Sequence, residues 1–380
     1  MKQLDLSELW DNPIGTNKSP VKNTSTNTEY ATSDILNKQT TQEDNTTNEV
    51  SVEDKRVVNG KSDINQLAPF KYAWAWEFFL NANKNHWTPT EIHIAPDIKD
   101  YQQKLTTEEK HVFETVFAYL TTADILAMRN IGLAVMEKMT APELQIYQAR
   151  QVYEESLHSW SYQYCVENLG IDQYEFYNRY RRIEPIWNKI QISNRRLEKI
   201  LTSEIDLSDK ENLKEFILSY IFFAAIFEGA WFYNGFSPIY GLQRRGLMRS
   251  TSEMLQYIQR DESLHTSFGI RVIKQIMIEE DIQLEEQDLQ ELLEECHQAE
   301  ETYIGYVLRD PILGYNKEDH MAQYRFLINR RWSMLGFQEP YPGQKQGLPW
   351  LDEQINIKKE KNFFETRVTE YQVGGGLKWD

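Results

Sequence analysis

Residues 216–236 constrain this chain more than any other segment, because they are almost continuously apolar. The run is about as long as a helix that crosses a lipid bilayer. It contains one carboxylate, Glu228, which would be costly in lipid. A helix that is apolar on every side is also what the centre of a large soluble bundle requires. We therefore predict a buried core helix and no membrane span.

The composition excludes several classes of protein. The net charge of −17 and the lack of a basic patch argue against a nucleic-acid partner. Cys165 and Cys296 are far apart in the chain, so no disulfide framework is expected. The first fifteen residues lack a basic segment followed by an apolar run, so a cytoplasmic protein without a secretory signal is expected.

Three regions differ in composition. Residues 1–62 are predicted to be a mostly disordered polar extension, since residues 12–62 hold too few apolar side chains to offset the entropy of ordering. Residues 63–345 are predicted to form the main domain. Residues 346–380, with three consecutive glycines near their end, are predicted to be a flexible tail.

The main domain has the apolar periodicity of long helices, and no strand pattern of comparable strength. Residues 106–109 form a capping signal at the start of one of them. Helices are predicted over 104–139, 141–169, 210–236, 247–279, 285–307 and 320–334. The sequence therefore predicts an all-α fold.

A weak internal repeat places an acidic pair before a Leu-His in two of these helices, as Glu154-Glu155-Ser156-Leu157-His158 and Asp261-Glu262-Ser263-Leu264-His265. Each copy contains Glu-x-x-His, whose two side chains lie on one face of a helix, one turn apart. A single copy is most often a solvated surface pair.

Two further acids, Asp124 and Glu228, lie in otherwise apolar helices. A buried ionised carboxylate is costly unless it is paired or bound to metal, although a hydrogen-bonded or protonated core acid is an alternative. The order acid, Glu-x-x-His, acid, Glu-x-x-His is the ligand layout of a dinuclear site in a ferritin-like helical bundle. Four carboxylates would balance two divalent ions, and oxygen and imidazole ligands suit iron or manganese. The six predicted ligands are Asp124, Glu155, His158, Glu228, Glu262 and His265.

These motifs resemble those of the small subunit of class I ribonucleotide reductase, from about Pro69 to Phe337. The resemblance rests on Asp124, Glu155-x-x-His158-x-x-x-Tyr162, Glu228 and Asp261-Glu262-x-x-His265. It implies a ribonucleoside-diphosphate reductase beta subunit, in which the six ligands hold two metal ions and Tyr162 holds a stable radical. Two irons are the first expectation, with two manganese ions or a mixed manganese–iron centre as alternatives. Phe232, Phe236 and Ile258 match positions that pack around the radical in that family.

The resemblance also implies a separate large subunit that binds the nucleotides, and a homodimer of this chain. It implies a radical relay through Trp87, Asp261 and His158 to Tyr371 in the tail. Asp261 adjoins the metal ligand Glu262, so it is expected to accept a hydrogen bond from His158. The tail carries Glu365, which matches a residue involved in coupling. Leu377 and Trp379 are its predicted anchors on the large subunit.

Two other functions fit part of the pattern. A self-contained dimetal oxidase or desaturase of the same fold would act on a lipid-like ligand, and would have no use for Tyr371 on a tail. A ferritin-like metal-storage protein would not require Trp87, Asp261 and Tyr162 in this arrangement.

Overall fold

The structure is a computed structural model that describes residues 51–61, 66–201, 205–310 and 314–351. The chain divides into two units, Met1–Glu49 and Val50–Asp380, and all described residues belong to the second. Most of the predicted N-terminal extension and nearly all of the predicted tail, including Tyr371, lie outside the described residues.

The described residues form helices and no strand, which confirms the predicted all-α fold. The α-helices are α1 Ala73–Ala82, α2 Ala95–Lys99, α3 Thr107–Arg129, α4 Pro142–Leu169, α5 Gln173–Tyr177, α6 Arg179–Arg182, α7 Glu184–Ile200, α8 Lys210–Ile221, α9 Tyr233–Gly235, α10 Ser237–Arg244, α11 Arg249–Glu279, α12 Glu286–Val307 and α13 Lys317–Leu335. Short 3-10 turns occur at Val52–Asp54, Pro89–Glu91 and Met136–Lys138, and π-helical segments at Asp100–Lys104, Asn130–Val135 and Phe222–Phe232.

The ends of the long helices follow from local sequence. α3 begins with the predicted capping box: Glu109 donates its amide to the Thr106 hydroxyl at 3.2 Å, and Thr106 donates its amide to the Glu109 carboxylate at 2.9 Å. α4 has Pro142 in its first turn and ends at Gly170, whose φ of +72° favours glycine. Because these signals are local, the sequence could place both ends closely.

The apolar run forms α8, the π-helical segment Phe222–Phe232 and α9. It is long and apolar enough to span a membrane, but 94% of its most apolar window is buried inside the protein. The predicted core helix is thus present, although its centre is π-helical rather than α-helical. α11 packs closely against it at Gly269, where a Cβ atom would lie 2.5 Å from the Cβ of Ala224.

Residues next to the main domain also pack onto the helices. Lys55, which the sequence prediction had placed in the polar extension, is fully buried and pairs with Glu143 of α4 at 3.3 Å. Val57 and Val58 beside it are fully buried as well. At the other end, Leu348 and Leu351 are almost completely buried, although the prediction had placed them in the tail. A few apolar side chains are therefore enough to pack a polar stretch against a core that has already formed.

Four of these elements carry the predicted ligands, and they pack against one another: α3 on α4, and α11 on both α4 and the π-helical segment. α3 carries Asp124, and α4 carries Glu155 and His158. The π-helical segment carries Glu228, and α11 carries the second Glu-x-x-His pair. The site therefore lies in the centre of the bundle.

Candidate metal centre

The six predicted ligands come together as two overlapping groups of four buried side chains. Within each group the candidate ligand atoms all lie within 4.8 Å of one another. The first group consists of Asp124, Glu155, His158 and Glu262, and the second of Glu155, Glu228, Glu262 and His265. The two glutamates of the Glu-x-x-His pairs occur in both groups, so the two groups overlap at Glu155 and Glu262.

The histidines face the shared glutamates through Nδ1. His158 Nδ1 lies 3.2 Å from Glu262 Oε1 and 3.3 Å from Asp124 Oδ1. His265 Nδ1 lies 3.0 Å from Glu155 Oε1 and 3.4 Å from Glu262 Oε2. Each histidine thus approaches both the glutamate of its own repeat and that of the other.

The donor atoms of this cluster fit metal ions better than they fit one another. Both carboxylate oxygens of Asp124, Glu155 and Glu262 are buried without a well-oriented hydrogen bond among the described residues. The same is true of the Nδ1 atoms of His158 and His265. Buried polar atoms are normally satisfied, so these eight converging atoms fit ligands of a bound metal better than partners of one another.

The pKa values show what this crowding costs. Burial raises the pKa of Asp124 to about 8, although contact with His158 opposes the rise. Burial also raises the pKa of Glu228 well above its ordinary value. Burial acts in the same direction on Glu155, but contacts from His158 and His265 outweigh it and hold that pKa at about 2. Divalent ions would replace the protons that these acids otherwise retain.

The outer nitrogen of each histidine contacts an acid from the opposite repeat. His158 Nε2 lies 3.2 Å from Asp261 Oδ2, as the sequence predicted. His265 Nε2 lies 2.8 Å from Glu154 Oε2. The two acids occupy the same position in their repeats, directly before the Glu-x-x-His glutamate. Such contacts fix the orientation and tautomer of a metal-binding imidazole.

Sequence reasoning missed Glu154 and three residues that donate hydrogen bonds to the acids of this cluster. Arg150, one turn earlier on α4, donates from Nε to Glu154 Oε1 at 3.0 Å. Gln151 donates to Glu228 Oε1 at 3.2 Å, and Asn85 donates to Asp261 Oδ1. The repeat contained the information for Glu154, because its counterpart Asp261 was assigned this role. Nothing in the local sequence indicated the other three.

Tyr162 lies on α4 one turn beyond His158 and is fully buried. Its ring meets that of Phe117 edge-on, with centroids 5.5 Å apart, and its hydroxyl has no hydrogen-bond partner among the described residues. Burial, followed by the charges of Asp124, Glu262 and Glu155, raises the pKa of Tyr162 well above its ordinary value. The phenol is therefore held neutral beside the carboxylates. Phe232, Phe236 and Ile258 are fully buried too.

Trp87 contacts the acid that lies at Nε2 of His158, whereas the ligand carboxylates lie at Nδ1. Its indole Nε1 donates to Asp261 Oδ2 at 3.1 Å, the same oxygen that His158 Nε2 approaches. The two rings are nearly parallel, at 20°, with centroids 6.4 Å apart. Trp87, Asp261 and His158 therefore form a continuous contact chain that leads from the ligand cluster. Glu365, Tyr371, Leu377 and Trp379 lie outside the described residues.

The fold and the site together define a helical bundle of the dimetal-carboxylate class. The chain matches the family "Ribonucleotide reductase, small chain" over residues 64–349. It is 36% identical to the ribonucleoside-diphosphate reductase subunit beta of Chlamydia pneumoniae, over 87% of this chain and 96% of that one.

Solved structures also resemble this chain. The ribonucleotide reductase R2 subunit from Clostridium botulinum is 27% identical, with a TM-score of 0.71, over 79% of this chain and 94% of that one. The dimanganese(II)-NrdF protein of Streptococcus sanguinis shares the fold, at 20% identity and a TM-score of 0.61, over 76% of this chain and 98% of that one. The chain belongs to the ribonucleotide reductase small-chain family.

Proposed function

We propose that this protein is the radical-generating small subunit of a ribonucleoside-diphosphate reductase. The observation that carries the proposal is the convergence of six buried acids and histidines in a member of this family, with Tyr162 one helical turn from His158. The same arrangement favours the reductase over a dimetal oxidase or a metal-storage protein, because it adds a Trp87–Asp261–His158 chain that neither alternative uses.

The six side chains are assigned to two divalent ions. Asp124 and His158 would hold one ion and Glu228 and His265 the other, and Glu155 and Glu262, which occur in both groups, would serve both ions. This assignment follows the two overlapping groups, and the four carboxylates balance two divalent charges. Iron is the first candidate, with two manganese ions or one of each as alternatives. When bound, the metal pair supplies the activation of oxygen and the oxidising equivalent.

Tyr162 is proposed to hold that equivalent as a tyrosyl radical. Its side chain is fully buried, so solvent reductants cannot reach it directly. Phe117 covers its ring, and the buried side chains of Phe232, Phe236 and Ile258 are proposed to complete a dry pocket. Its hydroxyl has no polar partner among the described residues, and the charges of Asp124, Glu262 and Glu155 act on it most strongly after burial.

The radical must then reach nucleotides bound to a large subunit. We propose that it passes along His158, Asp261 and Trp87, which are in hydrogen-bond or stacking contact, and then to Tyr371. The tail, residues 346–380, is proposed to dock on the large subunit, with Leu377 and Trp379 as anchors and Glu365 in coupling. The protein is proposed to act in the cytoplasm.

A second copy of the chain is proposed as the other partner. Large apolar side chains are exposed along α3, α4 and the segment after α3: Ile125 by 42%, Leu133 by 54% and Trp160 by 44%. α3 and α4 pack against each other, so these side chains lie on neighbouring elements. We propose that these three side chains belong to one apolar patch, because contiguous exposed apolar patches mark interaction surfaces.

The test is the Tyr162→Phe variant, reconstituted with Fe(II) and oxygen. We expect it to retain about two metal ions per chain, since the phenol is not a ligand, and to lose both the tyrosyl electron paramagnetic resonance signal and ribonucleotide reduction. Tyr220→Phe is the matched control, because Tyr220 is a buried phenol on α8. Normal turnover by Tyr162→Phe with the large subunit would contradict the radical role.

A further inference from the structure

A second buried polar cluster lies in the bundle, on α7, α12 and α13. Lys189 Nζ contacts Glu300 Oε2 at 2.6 Å, and the other oxygen of Glu300 lies 2.8 Å from His320 Nε2. All three side chains are fully buried. A lysine is rarely placed so deep, because its ammonium group loses its hydration there.

Three aromatic rings surround the ammonium group of Lys189. Its Nζ lies 4.0 Å from the ring centroid of Tyr119, 4.3 Å from that of Tyr303 and 4.4 Å from that of Trp231. The rings are fully buried, and neither phenol has a hydrogen-bond partner among the described residues. We call Tyr119, Tyr303 and Trp231 the aromatic cage.

The aromatic cage adjoins the metal centre through two shared elements. Tyr119 lies five residues before Asp124 on α3, and Trp231 lies three residues after Glu228 on the π-helical segment. Burial and then the charge of Glu300 are the main causes that raise the pKa of Tyr119 well above its ordinary value, and Asp124 adds to them. Tyrosine and tryptophan are readily oxidised side chains, so these rings compete with Tyr162 for an oxidising equivalent produced at the ligands.

We propose that Lys189 is a specificity-determining residue, whose charge keeps the oxidising equivalent off the aromatic cage and so directs it to Tyr162. This inference rests on the proposed function. Loss of one electron from Trp231 to the oxidised metal pair would reduce that pair by one electron and leave an indole radical cation. A positive charge at 4.4 Å from the ring, in a dry interior, opposes that cation.

The position of the charge also separates Tyr162 from the two cage tyrosines. A tyrosine that loses an electron must release its phenolic proton, and Tyr119, Tyr303 and Tyr162 all lack a hydrogen-bonded acceptor among the described residues, so proton release does not distinguish them. Charge does, because Lys189 lies over the rings of Tyr119 and Tyr303, whereas no lysine or arginine lies over the ring of Tyr162 in the described part of the chain. The Tyr162 hydroxyl instead lies among the charges of three metal-ligand carboxylates.

The experiment uses Lys189→Met and the neutral pair Lys189→Met with Glu300→Gln, because the single variant leaves a buried charge unpaired and can fail to fold. Each protein is loaded with Fe(II), exposed to oxygen and freeze-quenched for electron paramagnetic resonance. Oxidised residues are then located by peptide mass spectrometry. We expect the yield of oxidised cage residues relative to the Tyr162 radical to rise by about tenfold or more.

Two controls separate charge from packing. Lys189→Arg keeps the positive charge and is expected to restore the wild-type pattern. Lys199→Met removes a lysine from the same helix, but one whose side chain is 49% exposed, and it is expected to change nothing. If Lys189 had only a structural role, both neutralised variants would be less stable than the wild-type protein. Trp231, Tyr119 and Tyr303 would then remain unoxidised.

The outcomes also separate this inference from the proposed function. Wild-type protein without a Tyr162 radical would contradict the proposed function. In that case, the role of Lys189 is tested by ultraviolet photo-ionisation of the frozen metal-free proteins. The yield of the Trp231 radical is taken as the difference from matched Trp231→Phe variants. This yield is then compared between proteins with and without Lys189. An unchanged oxidation map in the loaded variants, or an unchanged Trp231 yield in the photo-ionised ones, overturns the role of Lys189.

Discussion

Asp124 and Glu300 are equally buried carboxylates, yet their pKa values move in opposite directions. Burial raises the pKa of Asp124 to about 8. Burial would also raise that of Glu300, but the charge of Lys189 and the hydrogen bond with His320 hold it at about 2. The difference is the source of the compensating charge, because the Glu300 cluster contains its own cation.

The metal-ligand cluster contains no lysine or arginine, and its two imidazoles are the only ligand side chains that can carry positive charge. The guanidinium of Arg150 contacts Glu154 rather than a ligand. A buried charge that lacks a partner is costly, so the two clusters should respond differently to the same kind of substitution. Substitution in the metal-ligand cluster should release metal ions, and substitution in the Glu300 cluster should lower the free energy of unfolding.

The largest expected effect is on metal content. Glu228→Ala removes a ligand from the second group only, so we expect metal content to fall from about two ions per chain to about one. Metal analysis after gel filtration measures this, with Glu301→Ala, a partly exposed acid on α12, as the control. Retention of both ions would show that Glu228 is not a ligand.

The next effect is on folding stability. Glu300→Ala leaves Lys189 and His320 buried without their partner, which should cost about 3–5 kcal/mol of unfolding free energy while leaving the metal content unchanged. Denaturant titration of the loaded protein measures it. Glu301→Ala should cost less than about 1 kcal/mol, since its pair with Lys317 is exposed. Equal losses in the two variants would remove the contrast between the clusters.

The acid side of the pH profile follows from Glu300. Its folded pKa of about 2 lies below the unfolded value of about 4.3, so its contribution is present above pH ~4.3 and is lost as the pH falls through 2. The advantage of wild-type protein over Glu300→Gln should therefore shrink by up to about 3 kcal/mol over this range. Parallel stability curves for the two proteins would refute the stated pKa.

The smallest effect concerns the contact behind a ligand. Glu154→Gln weakens the acceptor that orients His265, and should lower metal affinity by about 10–100-fold without removing a ligand. A chelator competition assay measures this affinity. Glu167→Gln, an exposed position on the same helix, should leave it unchanged. Equal affinities for both variants would mean that His265 does not depend on Glu154 for its orientation.

The sequence predicted the site well because its geometry is mostly local. Glu-x-x-His places two side chains on one face of a helix whatever the tertiary structure, and the structure brings all six predicted ligands together. The sequence did not single out α7. Lys189 was therefore missed, since one lysine in a polar helix is ordinarily exposed. The sequence also placed Lys55, Val57 and Leu348 outside the packed domain, because their neighbours in sequence are polar.

By itself, the sequence determined most of the long helices, the capping signal at Thr106 and the residues that could bind metal, because capping and periodicity act within a few residues. Only the tertiary structure decided that Glu155 and Glu262 belong to both groups of ligands. It also decided that His265 meets Glu154 and that Lys189 enters the aromatic cage. These contacts join helices distant in the chain. They depend on how the helices cross, which no local pattern encodes.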